Sequence, residues 1–178
     1  MEISQFEIEG LVLVRPQVFR DPRGYFIETY QAERFRKVGI LDTFVQDNQS
    51  CSTQGTLRGL HFQVGQAQAK LVRVVLGEVF DVAVDLRRGS PTYGRWQGVH
   101  LSDQNHYQFY VPKGFAHGFQ VVSERAVFAY KCSDYYAPEC ERGLIWNDTD
   151  LSIKWPLRPT QISEKDANWP TLAQLNLD

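Results

Sequence analysis

The sequence predicts an all-β fold, either a sandwich or a jelly-roll barrel, with a few short helices. Short segments rich in Val, Phe and Tyr follow one another along the chain, and its 13 glycines and 8 prolines fall between them, which is typical of strands joined by turns. Only two stretches have helical features. Because 178 residues is a usual size for one domain, we expect residues 1–178 to form a single jelly-roll domain.

Alternation of apolar and polar side chains predicts eight strands. The clearest is residues 78–86, where Phe80, Val82 and Val84 share one face while Asp81 and Asp85 lie on the other. Turns rich in Pro, Gly, Asp and Ser separate several of the strands. In chain order, the predicted strands are residues 11–14, 25–30, 44–50, 57–63, 70–76, 78–86, 107–111 and 127–132.

The two helical stretches are short. Phe35 and Val38 lie at helical spacing within residues 32–38, and Gly39 follows at the position where helices commonly end. Residues 163–175 have room for one or two turns, interrupted by Pro170. Helices therefore contribute little, which agrees with the all-β prediction.

Charge and composition argue against several classes of function. The 19 Lys and Arg residues against 21 Asp and Glu residues give a net charge of −2, which argues against a nucleic-acid or anionic-membrane binder. No apolar run approaches the roughly 20 residues that span a bilayer. Three cysteines without a CxxC pair, and a beginning without a basic and apolar leader, predict a soluble protein of a reducing compartment, the cytoplasm.

Polar side chains interrupt the apolar faces of several predicted strands. Alternation puts His61 on the face of Leu57, and Arg58 on the opposite face. Lys70 likewise shares a side with Val72. The pattern indicates a barrel closed at one end, with polar residues around an open mouth; the alternative is that each is a strand-end residue facing water. The other polar residues on apolar sides are Gln46, Asn48, Gln63 and Tyr130.

Three spaced motifs resemble the two-part motif of the cupin superfamily. They are Gly55-x5-His61-x-Gln63, Lys70-x6-Gly77 and Pro112-x-Gly114-x2-His117. In metal cupins the equivalent positions supply three histidines and a glutamate, whereas Gln63 and Lys70 occupy two of them here. Glutamine is a poor transition-metal ligand and an ammonium repels a cation, so we expect a cupin-type barrel without a metal. The alternative is that His61 and His117 are two unrelated buried histidines.

The remaining polar residues suit acid–base chemistry. A histidine such as His61 is the natural base near neutral pH, above all when a carboxylate orients its second ring nitrogen. Lys70 beside a substrate carbonyl would stabilise an enolate oxygen, and Tyr130 on the opposite wall would return a proton from the far side. Proton removal next to a carbonyl on one face and its return on the other is epimerisation. The same groups would also suit an isomerase.

Longer stretches match one family in order, from about residue 12 to residue 172. The matching stretches are residues 21–28 (DPRGYFIE), 46–50 (QDNQS), 56–63 (TLRGLHFQ), 69–74 (AKLVRV), 81–87 (DVAVDLR), 112–119 (PKGFAHGF), 143–148 (GLIWND), 153–156 (IKWP) and 163–166 (SEKD). By these the chain resembles the dTDP-4-dehydrorhamnose 3,5-epimerase family, which are cupin-like deoxysugar-nucleotide epimerases. An ordered set of this length is far more specific than the short cupin motif.

The resemblance implies a role for each member of a catalytic set. His61 would remove the proton beside the 4-keto group, with Asp166 orienting it. Lys70 would stabilise the enolate, Tyr130 would return the proton, and His117 would lie beside the sugar. The family acts at C5 and then at C3 of dTDP-4-dehydro-6-deoxy-D-glucose, without a cofactor, and yields dTDP-4-dehydro-L-rhamnose in dTDP-L-rhamnose biosynthesis.

The resemblance also implies a set of substrate-binding residues. Tyr136 would stack on the thymine ring. Arg58 with Arg23 or Lys165 suits a diphosphate, because these cations pair with anionic oxygens. The family forms homodimers in which the segment around Arg23 reaches into the partner's site. The alternative for each charged member is a solvated surface charge. The further residues of this set are Phe26, Glu28, Gln46, Asn48, His117 and Glu141.

Three other functions remain open at this point. The first is a single-centre epimerase that acts at C3 or C5 only, the second is a non-catalytic cupin that binds a sugar nucleotide, and the third is a metal-dependent cupin oxygenase. Asp85 and Arg87 lie in a matched stretch, but we expect a structural ion pair there. We expect Trp96, Trp146 and Trp155 to be core or interface anchors.

Overall fold

The computed structural model describes residues 1–176, and within that range it contains thirteen strands and two short α-helices. The helices are α1 (Ala32–Lys37) and α2 (Glu164–Ala167), and 3-10 helices cover Pro138–Cys140 and Leu172–Gln174. The all-β class predicted from the sequence is confirmed. The strands are β1 (Glu2–Gln5), β2 (Val12–Arg15), β3 (Val18–Asp21), β4 (Gly24–Ile27), β5 (Gln46–Thr53), β6 (Leu57–Gln63), β7 (Lys70–Leu76), β8 (Glu78–Asp85), β9 (Trp96–Ser102), β10 (Gln108–Val111), β11 (Phe115–Val121), β12 (Arg125–Cys132) and β13 (Glu141–Gly143).

The strands form two packed sheets and a separate hairpin. One sheet has six strands in the order β1-β2-β10-β7-β12-β5, and the other has five in the order β13-β6-β11-β8-β9. The pairings within both sheets are antiparallel. The hairpin of β3 and β4 stands apart as a two-stranded sheet. Two antiparallel sheets packed face to face form the predicted jelly-roll sandwich.

Apolar side chains from both sheets meet in the interior. Val72 and Phe128 of the six-stranded sheet belong to the same buried cluster as Ala83 and Phe119 of the five-stranded sheet. The rings of Phe119 and Phe128 are nearly parallel, with centroids 4.1 Å apart. Burying side chains of this size contributes about 1.5–3 kcal/mol each. In one part of the interior polar side chains replace apolar ones, and there a cavity opens.

Both sheets are also covered on their outer faces. The segment after β13 places Leu144 and Leu151 against the outer face of β8, and α1 places Phe35 against the outer face of the six-stranded sheet. β8 is consequently buried on both sides, and Asp81 and Asp85 are both 0% exposed. The alternation of apolar and acidic residues in β8 therefore distinguishes two faces that are both buried.

The observed strands differ from the predicted ones mainly where alternation is weak. The bounds of β6 and β7 agree with the prediction, whereas the strand predicted over residues 25–30 already ends at Ile27. β11 was not expected because all seven of its residues are buried, so no polar face shows in its sequence. The other strands that the prediction lacks are β1, β3, β9 and β13.

Two further features bear on the expectations from composition. Within residues 1–176, no helix is both long enough and apolar enough to cross a membrane. Cys51, Cys132 and Cys140 are free thiols.

Candidate active site

A cavity opens between the two sheets, and polar side chains from both sheets line it. It has two adjoining parts, a larger one of about 630 Å³ and a smaller one of about 310 Å³. His61, Lys70 and Tyr130 line both parts, so they lie where the two meet. Sites for small molecules commonly measure about 300–1,000 Å³, and the cavity is therefore large enough to hold one.

An irregularity in β6 brings Arg58 and His61 to the same part of the cavity. Simple alternation puts them on opposite faces, and that expectation is wrong. Phe119 of β11 pairs with Arg58. His117, two residues before Phe119 on β11, pairs with His61, which lies three residues after Arg58 on β6. The extra residue in β6 is a β-bulge, which turns the side chains beyond it, and both Arg58 and His61 line the larger part.

The bulge requires glycine at two facing positions. Gly59 has a φ of 118°, a conformation that residues with a Cβ rarely adopt. A Cβ on Gly59 would lie 2.5 Å from the Cα of Gly118, and a Cβ on Gly118 would lie 2.6 Å from the carbonyl oxygen of Arg58. The backbones of β6 and β11 therefore approach closely at this wall of the cavity.

His61 forms a hydrogen-bonded pair with Asp166. The imidazole Nε2 lies 2.6 Å from Asp166 Oδ1, and the carboxylate also accepts from the backbone N–H of Gly59 at 3.2 Å and from Trp169 Nε1 at 3.3 Å. Burial opposes ionisation of Asp166, but these hydrogen bonds outweigh it and lower its pKa. Ser163 accepts from the backbone N–H of Asp166 and so caps α2, which holds the carboxylate beneath the imidazole.

Lys70 and Tyr130 face His61 from the other sheet. His61 belongs to β6 in the five-stranded sheet, whereas Lys70 and Tyr130 lie on neighbouring strands, β7 and β12, of the six-stranded sheet. Burial lowers the pKa of Lys70, and the negative charge of Asp81 offsets part of this effect. Burial also raises the pKa of Tyr130. Among residues 1–176, neither the ammonium nor the phenol has a hydrogen-bond partner, so both remain available to a ligand.

A second histidine–carboxylate pair forms the floor of the larger part. His117 Nε2 lies 2.9 Å and 3.0 Å from the two carboxylate oxygens of Asp81. The His117 side chain is 7% exposed and that of Asp81 is 0% exposed. The imidazole stacks at 6.3 Å on the ring of Phe128, which holds it between an apolar face and the buried carboxylate.

Glu141 organises the mouth of the cavity. Its Oε2 accepts hydrogen bonds from the Tyr136 hydroxyl and from Lys165 Nζ, each at 2.8 Å. Burial opposes ionisation of Glu141, but these two donors outweigh it and its pKa is lowered. Gln46 accepts from the backbone N–H of Tyr136 at 2.9 Å and donates to Asn48 Oδ1 at 3.1 Å. The mouth thus combines an aromatic ring, a cation and amide groups.

Three of the predicted site residues lie away from this cavity. Arg23 is 90% exposed and pairs with Asp21 at 2.6 Å. Phe26 is 67% exposed, and Glu28 pairs with Arg34 at 3.0 Å. They belong to the β3–β4 hairpin and the segment just after it, and line neither part of the cavity.

Comparison with known proteins identifies the family. A family model described as dTDP-4-dehydrorhamnose 3,5-epimerase matches residues 5–174. The chain belongs to the dTDP-4-dehydrorhamnose 3,5-epimerase family. A family member from Pseudomonas aeruginosa is 54% identical over 93% of this chain and 93% of its own length, and one from Methanothermobacter thermautotrophicus is 50% identical over 94% and 92%.

Solved structures of epimerases share the fold. A crystal structure of a dTDP-6-deoxy-D-glucose-3,5-epimerase from Legionella pneumophila, in complex with dTDP-4-keto-L-rhamnose, superposes with a TM-score of 0.96. It is 52% identical, and the match covers 98% of this chain and 94% of that one. The family and the cupin-like fold expected from the sequence are confirmed.

Most of the site residues predicted from the sequence of this epimerase family member line one cavity in the structure. Residues separated by about a hundred positions meet there, as His61 and Asp166 do. The positions brought to the cavity are Gln46, Asn48, Arg58, His61, Lys70, His117, Tyr130, Tyr136, Glu141, Lys165 and Asp166.

The sequence prediction missed one residue that contacts the lining of the cavity. Asp81 was placed on a strand face without a role, yet it forms the hydrogen bonds to His117. The sequence feature that could have indicated it is an ionisable residue in the middle of the otherwise largely apolar strand β8. Asp85 on the same strand forms the expected ion pair instead, with Arg87 Nε at 2.9 Å and Nη2 at 2.7 Å.

Gln63, which stands where metal cupins have a histidine, supports the backbone around the mouth. Its amide donates to the carbonyls of Gln66 and Tyr135, and its carbonyl oxygen accepts from the backbone N–H of Ala137. This side chain therefore positions the loop that carries Tyr136. In the described part of the chain, no three His, Cys, Asp or Glu residues lie together as a metal site would require.

Proposed function

We propose that this protein epimerises dTDP-4-dehydro-6-deoxy-D-glucose at C3 and C5 to dTDP-4-dehydro-L-rhamnose, as a step of dTDP-L-rhamnose biosynthesis. The observation that carries the proposal is the His61–Asp166 pair on one wall of a cavity, with Lys70 and Tyr130 on the wall opposite. Relatives about half identical to the chain are named for this reaction. The enzyme class expected from the sequence, an epimerase, agrees with those names.

His61 acts as the base. Asp166 accepts the proton on Nε2, so the lone pair of Nδ1 remains for the substrate, and Nδ1 has no hydrogen-bond partner within residues 1–176. When Nδ1 takes the proton from the carbon next to the C4 ketone, the C–H bonding pair moves toward the carbonyl and forms an enolate. The lowered pKa of Asp166 keeps the carboxylate charged, which stabilises the imidazolium that results.

Lys70 and Tyr130 complete the reaction from the opposite wall. The Lys70 ammonium stabilises the negative charge on the enolate oxygen, which is stronger in a cavity that excludes water. Tyr130 gives its phenolic proton to the enolate carbon from the other face and inverts the centre. Its raised pKa keeps the phenol protonated until that step. Proton exchange with water restores both groups, and the reaction needs no redox cofactor because the ketone is already present.

The mouth of the cavity binds the nucleotide. Tyr136 offers an aromatic ring to the thymine base, and Arg58 and Lys165 offer cations to the diphosphate. Gln46 and Asn48 supply amide groups beside them. Lys165 is paired with Glu141, so a substrate phosphate would compete with this carboxylate for the Lys165 ammonium.

We also propose that the protein works as a homodimer. A lone two-stranded hairpin is marginally stable in water, yet β3–β4 stands apart and leaves Phe19 and Phe26 more than half exposed. A second subunit that covers this hairpin would bury both rings. Arg23, Phe26 and Glu28 would then reach the partner's cavity, where each subunit lacks them.

Three further expectations accompany this proposal. Residues 1–178 act as one domain, because the cavity takes residues from β5 to α2 and both sheets share one core. The cytoplasmic location and the absence of nucleic-acid and membrane partners stay predictions from composition.

The test is proton exchange in heavy water. The protein is incubated in D2O with dTDP-4-dehydro-6-deoxy-D-glucose and an NADPH-dependent 4-ketoreductase, and the product is analysed by NMR and mass spectrometry. We expect deuterium at both C3 and C5 and a reduced sugar of the L-rhamno configuration. Deuterium at one carbon only would establish a single-centre epimerase. Binding of the sugar nucleotide without any exchange would establish a non-catalytic binding protein.

A further inference from the structure

Asp81 lies beneath the cavity floor and takes no part in the mechanism described above. It is 0% exposed and sits in the middle of β8, on the face that looks into the sandwich. Its two oxygens both contact His117 Nε2, at 2.9 Å and 3.0 Å. Its side chain has no other hydrogen-bond donor within residues 1–176. A buried carboxylate with a single donor depends strongly on that donor.

The two histidine–carboxylate pairs of the cavity use the same ring nitrogen. His61 and His117 are direct neighbours across the β6–β11 ladder. Each contacts its carboxylate through Nε2, at 2.6 Å in one pair and 2.9 Å in the other. In each ring, Nδ1 has no partner in the described part of the chain. Since a carboxylate accepts the N–H it faces, the proton sits on Nε2 in both rings and Nδ1 is an acceptor.

We infer that Asp81 is a positioning residue, which acts through His117 by holding its ring with Nδ1 free to accept a hydrogen bond from a sugar hydroxyl. This inference rests on the proposed function, since it names how the sugar is held for His61. With the ring fixed between Asp81 and Phe128, the hydroxyl of the substrate is fixed in turn. The carbon that loses its proton then stays aligned with His61.

The charge of Asp81 also reaches Lys70. Burial lowers the pKa of the Lys70 ammonium, and Asp81 is one of the acidic groups that oppose this. His61 and Tyr130 are the other titratable groups that face the floor from β6 and β12. Asp81 therefore acts on two of the groups proposed to contact the sugar, His117 through hydrogen bonds and Lys70 through its charge.

The first test needs no substrate. In ¹⁵N-labelled protein, NMR of the four histidines reports which ring nitrogen carries the proton, and His117→Ala identifies the signals of His117. We expect the Nε2–H form in the wild type and its loss in Asp81→Asn, because the amide can present its own N–H groups to the ring. Asp85→Asn is the matched control: Asp85 is equally buried on the same strand but bonds Arg87, Ser90 and Thr92. It should leave the His117 signals unchanged.

The second test is kinetic. Asp81→Asn should lower kcat about 10- to 100-fold, the usual cost of removing a group that orients a functional residue, while KM changes much less. In a His117→Ala background, Asp81→Asn should lower kcat no further, because Asp81 acts through His117. Asp85→Asn should lower the melting temperature but keep kcat. If Asp81→Asn does not give folded protein, Asp81→Ser takes its place in both tests.

Either of two results would overturn the inference. One is an unchanged His117 tautomer in folded Asp81→Asn. The other is a loss of kcat that is equally large with and without His117. If the wild type shows no epimerase activity, the proposed function fails, and the NMR measurement still decides whether Asp81 sets the tautomer of His117.

Discussion

Replacing Asp166 by asparagine tests the assignment of His61 as the base. The substitution keeps the size of the side chain but removes its charge. Asn can turn its amide N–H groups toward His61 Nε2, now 2.6 Å from a carboxylate oxygen. The ring proton then moves to Nδ1, the atom that must be free to take the substrate proton.

The expected loss of activity follows from the role of the base. General-base catalysis is worth about 10²- to 10⁴-fold, and a wrong histidine tautomer forfeits most of it. We therefore expect kcat to fall about 10³-fold, which corresponds to about 4 kcal/mol on the barrier. KM should change little, because Asp166 faces His61 and the backbone of Gly59.

The same substitution has a pH-dependent effect on stability. The pKa of Asp166 in the folded protein lies below its ordinary value of 3.8, so the ionised carboxylate stabilises the fold above that pH and the contribution is lost as the pH falls further. Hydrogen bonds to a buried charge suggest about 2 kcal/mol at neutral pH, which lowers the melting temperature by about 4–8 °C in a domain of this size. The stabilities of wild type and Asp166→Asn should converge as the pH falls below the lowered pKa of Asp166 in the folded protein.

The assay combines steady-state kinetics at neutral pH with thermal unfolding from about pH 2 to pH 8. Asp148→Asn serves as control, since Asp148 is equally buried and accepts backbone N–H groups of Asp150, Leu151 and Leu172 away from the cavity. It should lose stability and keep kcat. If Asp166→Asn lost no more kcat than this control, His61 would not be the base that the mechanism requires.

Four other substitutions separate the remaining roles. His61→Ala should abolish most turnover while nucleotide affinity, measured by calorimetry with dTDP, stays near wild type, and Arg58→Ala should do the reverse; the opposite pattern would exchange their roles. Tyr130→Phe should still exchange substrate protons with D2O through His61 but fail to invert the centre, and loss of exchange as well would contradict its assignment as the acid. Mixing Arg23→Ala and His61→Ala subunits, each poorly active alone, should restore about a quarter of wild-type activity, because half of the dimers are mixed and each has one intact site. No recovery in dimers shown to be mixed would mean that Arg23 serves its own subunit.

The two histidine–carboxylate pairs have different proposed roles in the cavity. In the proposed mechanism His61 with Asp166 removes the substrate proton, while His117 with Asp81 holds the sugar from the floor of the cavity. Both imidazoles project from neighbouring strands whose backbones approach closely at Gly59 and Gly118.

Much of the site could be predicted because some of its strands are regular. Lys70 and Tyr130 lie on the inner faces of β7 and β12, as alternation with Val72 and Phe128 predicts. The short helix at the end of the chain was also expected, and the sequence Ser163-Glu164-Lys165-Asp166 contains its capping residue. These are local properties, decided by a few neighbouring residues.

Other parts of the site follow from strand pairing and from contacts between distant segments. Arg58 and His61 line the same cavity because β6 contains a bulge, with three steps from Arg58 to His61 against two steps between their partners on β11. The sequence of β6 alone does not show this bulge, because it depends on how β6 pairs with β11. Asp81 looked like one of two equivalent acidic residues on β8, yet it contacts His117 while Asp85 contacts Arg87. By itself the sequence determined the fold class, the family and the inner faces of the regular strands, because periodicity and motifs belong to the chain. The family resemblance already implied that Asp166 orients His61. The tertiary structure alone decided that His117 meets Asp81 and that Arg58 shares the cavity with His61, because both depend on how the strands pair across the sheet.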